Sequence, residues 1–334
     1  MPTVAYEQLV TLSTQYLIQA GCAAESAHST ARALVVAEAE GMPSHGLSRL
    51  AQYADHLRHG RVDGQAVPRL FGTKRAAFLV DASGGFAFPA CDLAVKEAVL
   101  RASECGIAWA SVFNSHHSGV LSAHLRGVGK ASMVGLGMSN SPAAMPAWGG
   151  KRPIFGTNPI AAIFPRQGNL PLIIDLSLSE VARGKLFVAL RNGNTIPEGW
   201  ALDAEGNPTT DPQKGLDGMM LPAGGVKGAM LALMVELLCC SLSGANFGFE
   251  ADSFFTSAGN RPQIGQSFLV IDPAALGGSE LFSERLETLL AFMLLDPDVR
   301  LPGQGRQERL TAAIENGLEV SDSLLDEISR QQSG

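Results

Sequence analysis

Ser44-His45-Gly46, with Arg49 four residues on, sets an imidazole beside a guanidinium in a short polar stretch. The spacing predicts a helix that starts at the histidine. The dipole at a helix start disfavours imidazolium and lowers its pKa, and Arg49 would follow one turn later on the same face. Such a pair can hold a carboxylate bidentately on the guanidinium while the imidazole gives a proton to a neighbouring oxygen. Reduction of a 2-oxo acid requires both. A solvated surface His and Arg would show the same spacing.

Asn114-Ser115-His116-His117-Ser118-Gly119 stands between a predicted strand and a predicted helix, where small polar residues present backbone N–H groups to an anion. His116, His117 and His124, with Asp175, also raise the idea of a metal-dependent hydrolase. Adjacent histidines rarely face the same way, and neither H-x-x-x-H nor H-E-x-x-H occurs, so no metal is expected. Phe155-Gly156-Thr157-Asn158-Pro159 and Asp175-Leu176-Ser177-Leu178-Ser179 put hydroxyls and Asx-type turns at strand ends, as sites and ordinary turns both do. Gly224-Gly225-Val226-Lys227-Gly228 brings a lysine to a glycine-rich helix start, and Arg300-Leu301-Pro302-Gly303-Gln304-Gly305-Arg306 puts two arginines on one loop. Glu236, an acid in an apolar helix, reads as the partner of a backbone group or of another chain, outside any catalytic set.

The dinucleotide fingerprint G-x-G-x-x-G is missing. Gly127-Val128-Gly129-Lys130 and Gly135-Leu136-Gly137 lack its third glycine and its strand-to-helix context.

The elements that must hold these residues follow from periodicity. Three helices fill the first sixty positions: one from Tyr6 to a stop at Gly21, one ending at Gly41, one from about Leu47 to His59. A strand at Ala77 to Asp81 precedes a Gly-Gly turn, a helix from about Pro89 to Glu104 and a strand at Ile107 to Phe113. Further strands are expected at Met133 to Met138, Leu172 to Asp175 and Phe268 to Ile271, with helices near Ser179 to Asn192 and over Val226 to Ser243. The C-terminus returns to helices. Ser279 is placed to cap one whose Phe282, Leu286, Leu289, Leu290 and Met293 share a face, and two shorter ones follow Arg306 and Ser321. The pattern is α/β.

The 334 residues are 46% hydrophobic and carry a net charge of −7 without any Lys/Arg cluster, which argues for a folded chain that does not bind nucleic acid. Cys22, Cys91, Cys105, Cys239 and Cys240 make no CxxC pair and read as small core residues. The start, MPTVAYEQL, has no secretory pattern, and the greasiest helix is short for a bilayer and carries Glu236, so the reading is cytoplasmic with no membrane partner.

Taken in order, the segments resemble the malate/L-lactate dehydrogenase family that is unrelated to the Rossmann-fold lactate and malate dehydrogenases. The likeness also takes in Asp81-Ala82-x-Gly84-Gly85-Phe86 and Ile196-Pro197-Glu198-Gly199-Trp200, and it spans nearly the whole chain. It implies a non-Rossmann nicotinamide-binding fold with a mixed, largely antiparallel sheet, and a homodimer. The implied domains are residues 1–60 with 276–334 (helical, substrate-binding and dimer-forming), 61–115 (small α/β) and 116–275 (NAD(P)-binding). His45 would be the proton donor, supported by Ser44, with Arg49, Thr157 and His117 on the substrate. The cofactor would be lined by His117, Ser118, Gly119, Val120, Leu121, Asp175, Leu176, Ser177, Val226, Lys227, Arg300, Pro302, Gly303 and Arg306. NADP(H) is preferred over NAD(H), because Arg300, Arg306 and Lys227 supply more positive charge than a pyrophosphate needs. On this reading Arg306 meets the 2′-phosphate. Substrates would be small 2-oxo acids of the lactate, malate or sulfolactate type, or cyclic 2-imino acids. Imine-reducing members tend to carry Asp after the position of Gly184, where this chain has Lys185. A catalytically silent binding protein is the other class considered, and the intact Ser44, His45, Arg49, Thr157 and Lys227 argue against it.

Overall fold

The computed structural model describes residues 2–72 and 74–330. Its centre is a seven-stranded sheet of β1 (Arg69–Phe71), β2 (Ala77–Asp81), β3 (Ile107–Ser115), β4 (Val134–Ser139), β5 (Ile160–Phe164), β6 (Leu172–Leu176) and β7 (Ile264–Ile271), ordered β1-β2-β3-β7-β4-β5-β6. Only β2 and β3 run parallel; every other neighbouring pair is antiparallel. β7 sits in the middle although it comes last in the chain, so ladder hydrogen bonds tie residues 69–115 to residues 134–176.

The helix Ala87–Cys105 lies against one face of the sheet. Its contact stripe is Ala87, Ala90, Cys91, Ala94, Ala98 and Ala102, all fully buried, and these small side chains let the helix sit close to Val80, Val112 and Phe268. The opposite face packs against the helix Val226–Glu236 and its continuation Leu237–Ser241, a π-helical turn, through Val235, Cys239 and Cys240. Helices Tyr6–Gln19, Ala24–Ala39 and Leu50–Arg58 form a separate core with the last two helices, Gln304–Asn316 and Asp322–Arg330. Pairing of Thr3–Val4 with Leu318–Glu319 closes the two ends of the chain together.

Several sequence expectations shift. The third helix begins at Leu50, because Pro43–His45 and Leu47–Arg49 form separate 3-10 turns either side of Gly46. The helix expected from Ser179 begins at Arg183, since Ser177 and Ser179 bond each other and hold the chain in a turn. Ser279 is the first residue of its helix, capped by Gly278 with positive φ, and of the apolar face expected there only Leu290 is buried. β1 and β5 had no sequence expectation. Among the described residues no helix is long and apolar enough to cross a membrane.

Candidate active site

Ser44 and His45 ride on the 3-10 turn Pro43–His45, with Ser44 Oγ 3.0 Å from His45 Nδ1. That turn is pinned from both sides. Glu38, on the second helix, accepts a hydrogen bond from the Leu47 amide at 2.9 Å and fills the space where a Cβ on residue 46 would stand, so Gly46 admits no side chain. Arg49 reaches back with Nε to the Ser44 carbonyl at 2.7 Å. The expected single helix from His45 is therefore replaced by two turns, and Arg49 comes to the histidine by this return contact rather than by helical spacing. The pKa expectation survives on a different cause: His45 is pushed down to about 4 by burial first, then by the Arg49 and Arg306 charges. It is neutral near pH 7 in the free protein.

Arg49 spends Nη1 on Gln52 Oε1 at 2.6 Å, and Gln52 Nε2 in turn donates to the Phe254 carbonyl. The guanidinium lies 5.0 Å from the Phe255 ring centroid. Among the described residues no carboxylate pairs with it.

The two adjacent histidines diverge. His117 stacks on His45 with centroids 5.6 Å apart, and Tyr53 Oη lies 2.6 Å from its Nδ1. His116 turns into the core against His56, with Nε2 2.9 Å from His56 Nδ1. His56 Nε2 lies 3.1 Å from the Thr256 carbonyl, which only accepts, and 3.3 Å from Arg61 Nη1, which only donates. His116 Nδ1 is itself buried with no partner among the described residues. Burial dominates the lowered pKa of His116 and of His117. His124 points elsewhere, onto the Ser118 carbonyl at 2.8 Å. Among the described residues no three metal-ligating side chains group together.

Arg61 organises the wall of this site. Only 1% exposed, it donates to the carbonyls of Asp252, Ser253, Thr256 and Asn260 and so fixes the loop that carries Phe254 and Phe255. The Phe254 ring then sits 5.1 Å from both His116 and His117.

Thr157 lies on a turn held by Glu236. That buried carboxylate accepts from Asn158 Nδ2 at 2.7 Å, from Asn140 Nδ2 at 3.3 Å and from the Gly248 amide at 2.6 Å. Burial raises its pKa and these hydrogen bonds oppose the rise. Its part is structural, as the sequence suggested. It holds Asn158 at φ 38° and so sets the bend at Thr157.

A second group of expected residues converges at the end of β6. The Ser122 amide, just past Ser118-Gly119-Val120-Leu121, donates to Asp175 Oδ2 at 3.1 Å, and Arg306 Nη1 lies 3.7 Å from the same oxygen. Gly303 has φ 78° and presses on the Ile173 carbonyl, which leaves no room for a Cβ and draws the Arg300 to Arg306 loop onto the strand. The Ala223 amide bonds the Leu178 carbonyl at 2.9 Å, and that contact stitches the start of the Val226 helix to the chain after Ser177. Leu176 and Val226 expose apolar surface there, and Lys227 is exposed beside them. Apolar faces flanked by cations and backbone N–H groups are what a nicotinamide dinucleotide needs, and Arg306 and Lys227 are the cations here.

Arg306, already 3.7 Å from Asp175, also acts on His45 through its charge. Arg300 is the exposed arginine of that loop. Sequence reasoning assigned no role to Tyr53, Gln52, His56 or Arg61. A signal existed, because Arg49, Gln52, Tyr53 and His56 fall at helical spacing and make one polar stripe.

The sequence profile of the malate/L-lactate dehydrogenase family matches residues 4–329. The chain is 45% identical to (2R)-3-sulfolactate dehydrogenase (NADP(+)) of Chromohalobacter salexigens, over 97% of this chain and 96% of that protein. The crystal structure of Δ1-piperideine-2-carboxylate reductase from Pseudomonas syringae pv. tomato superposes with a TM-score of 0.94 at 35% identity, covering 99% of this chain and 100% of that one. Sulfolactate dehydrogenase from Methanocaldococcus jannaschii superposes with a TM-score of 0.89 at 29% identity, covering 99% of this chain and 96% of the other. With its mixed, mostly antiparallel sheet and its helical ends, the chain belongs to the malate/L-lactate dehydrogenase family of oxidoreductases.

Proposed function

We propose that this oxidoreductase interconverts a small 2-oxo acid and its 2-hydroxy acid, in the lactate, malate or sulfolactate series, with NADP(H) preferred. The observation that carries this reading is the Ser44–His45–Arg49 arrangement, an imidazole on Ser44 Oγ and, bonded back to the same turn, a guanidinium without a carboxylate partner among the described residues. A reduced nicotinamide supplies hydride to C2 when bound. Arg49 holds the carboxylate, Thr157 and His117 border the carbonyl group, and the carbonyl oxygen takes its proton from Nε2 of the imidazolium form of His45, which is left neutral with Nδ1–H donated to Ser44 Oγ. Phe254, buried against His117, limits water on that side of the site.

The test is oxidation of NADPH and of NADH against pyruvate, oxaloacetate, sulfopyruvate and the two cyclic imines, Δ1-pyrroline- and Δ1-piperideine-2-carboxylate. Turnover of the oxo acids supports the reading. Turnover of the imines alone replaces it with the second reading, which the likeness to the piperideine-2-carboxylate reductase favours. Lys185 weighs against the imines, and its ammonium lies 5.8 Å from the Trp200 ring.

The NADP(H) preference is supported by the name of the sulfolactate dehydrogenase relative, and Arg300 is the exposed, accessible arginine of its loop. Arg300→Ala should weaken NADPH about tenfold and leave NADH nearly as it was, the size of one modest charged contact. Arg306→Ala should weaken both cofactors alike. Dissociation constants measured by fluorescence titration decide between the two arginines, and selective loss of NADPH in the Arg306 variant would assign the 2′-phosphate to Arg306.

A homodimer belongs to the same reading. Val226, Met230, Met234 and Leu237 are each 45–54% exposed along one side of their helix, a bare apolar stripe at i, i+4, i+8 and i+11. Light scattering should give twice the chain mass for the parent, and Met234→Arg should shift it to the monomer. A monomeric parent would remove this part. Five free thiols, four of them buried, support a cytoplasmic location.

A further inference from the structure

Arg183, the first residue of the helix Arg183–Arg191, shares the Phe255 ring with Arg49. Its guanidinium carbon is 5.5 Å from the ring centroid, and that of Arg49 is 5.0 Å from the same centroid. The two guanidinium carbons are therefore no further apart than those two distances laid end to end. Arg183 Nη2 donates to the Leu216 carbonyl at 2.7 Å, and Nε is buried with no acceptor among the described residues. Nor does any described carboxylate come within ion-pair distance of Arg183; Asp217 acts on it only from further off.

Two arginines that share one aromatic ring, both without a counter-ion, are expensive to keep together. Like charges repel, and a buried donor without an acceptor forfeits its hydrogen bond to water. The ring face offsets part of this through its quadrupole. With His45 and His117 neutral, this corner of the site carries two positive charges, and the natural complement is a ligand with two negative ones.

We propose that Arg183 holds a second anionic group of the substrate, at the end away from the carboxylate on Arg49, and so selects 2-oxo acids with a sulfonate or carboxylate on C3. This rests on the preceding reading of Arg49 as the carboxylate holder. Phe255 is the ring that both forks contact, so one small acid lying across it can meet both. A monoanion such as pyruvate meets one fork and leaves the other unmatched.

The experiment compares kcat/KM for sulfopyruvate, oxaloacetate and pyruvate, with NADPH as reductant, in the parent, Arg183→Gln and Arg183→Lys. Circular dichroism and Tm confirm that each variant is folded. In Arg183→Gln the preference for each dianion over pyruvate should fall on the order of 10- to 100-fold, as expected for a lost charged hydrogen bond, and mainly through KM. Arg183→Lys should recover part of it. An unchanged preference, with all three substrates affected alike or none affected, overturns the proposal. If the parent reduces none of the three, the functional reading has failed. Calorimetric titration of the NADPH-bound protein with sulfolactate and with lactate then decides Arg183 by itself: loss of sulfolactate affinity relative to lactate in Arg183→Gln sustains it, and equal affinities overturn it.

Discussion

Replacing His45 with alanine should lower turnover of a 2-oxo acid roughly a hundredfold or more and leave cofactor affinity almost unchanged, the usual cost of removing a general acid. The change removes a proton carrier, its hydrogen bond to Ser44 and its stacking on His117, so the variant's fold is checked by Tm. Its pH behaviour is a sharper signature. With a pKa near 4, His45 is a base in waiting at neutral pH, ready to accept a proton from a hydroxy acid. Oxidation, measured as kcat/KM, should hold level from about pH 8 down and drop only as the pH nears that value. Reduction needs the protonated form, so its kcat/KM should fall about tenfold per pH unit above it. The two cations that depress the pKa are the ones that substrate carboxylate and cofactor phosphate would neutralise. Loading the site therefore raises the pKa, and the profile of kcat should turn at a higher pH than that of kcat/KM. Near-normal turnover in a folded His45→Ala protein removes His45 from the chemistry.

How much of this site can be read from the sequence follows from how local each contact is. Helices Tyr6–Gln19, Ala24–Ala39 and Ala87–Cys105 have apolar residues at helical period and a glycine near each end, so their limits are legible to within a few residues. β5 is not, because Ile160-Ala161-Ala162-Ile163-Phe164 is apolar throughout and shows no alternation. β7 is legible only in its second half. Gln266 and Ser267 are polar yet fully buried, and they are kept in the core by hydrogen bonds to Ser139, His116, Ser111 and Leu238 that no local pattern announces. The helix Ser279–Met293 misleads in the opposite sense, since a face that looks like core lies mostly open.

The site divides in the same way. His45 and Arg49 are four residues apart, and their chemical types announce them. The contacts that aim them come from far along the chain: Gln52 to Phe254, His56 to Thr256, Arg61 to Asn260, each about 200 residues apart. The loop from Asp252 to Asn260 has no motif, and its importance becomes visible only when four of its carbonyls are found on one buried guanidinium. Glu236 is legible as a buried acid with partners, though not as the support of Thr157.

Arg49→Lys should lower kcat/KM for the 2-oxo acid roughly a hundredfold or more, chiefly through KM, because an ammonium cannot reproduce a two-bond grip on a carboxylate. Arg49 also supports the proton donor, since its Nε anchors the Ser44 carbonyl and hence the turn that carries His45. Loss of the anchor alone would misplace the proton donor and appear in kcat, whereas loss of the carboxylate contact appears in KM. The two are separable with Arg49→Ala and added guanidinium ion. A small guanidinium entering the vacated space beside Phe255 should restore part of kcat/KM, and methylammonium at the same concentration should restore less, since only the planar fork offers two parallel donors. NADPH dissociation constants should stay close to the parent's in both variants, because the segments proposed for the cofactor meet at Asp175 and not at Arg49. Unchanged kinetics in Arg49→Lys would place the carboxylate elsewhere. Arg183 would then be the remaining guanidinium at Phe255 to hold it, and the order of the substrate across that ring would be reversed.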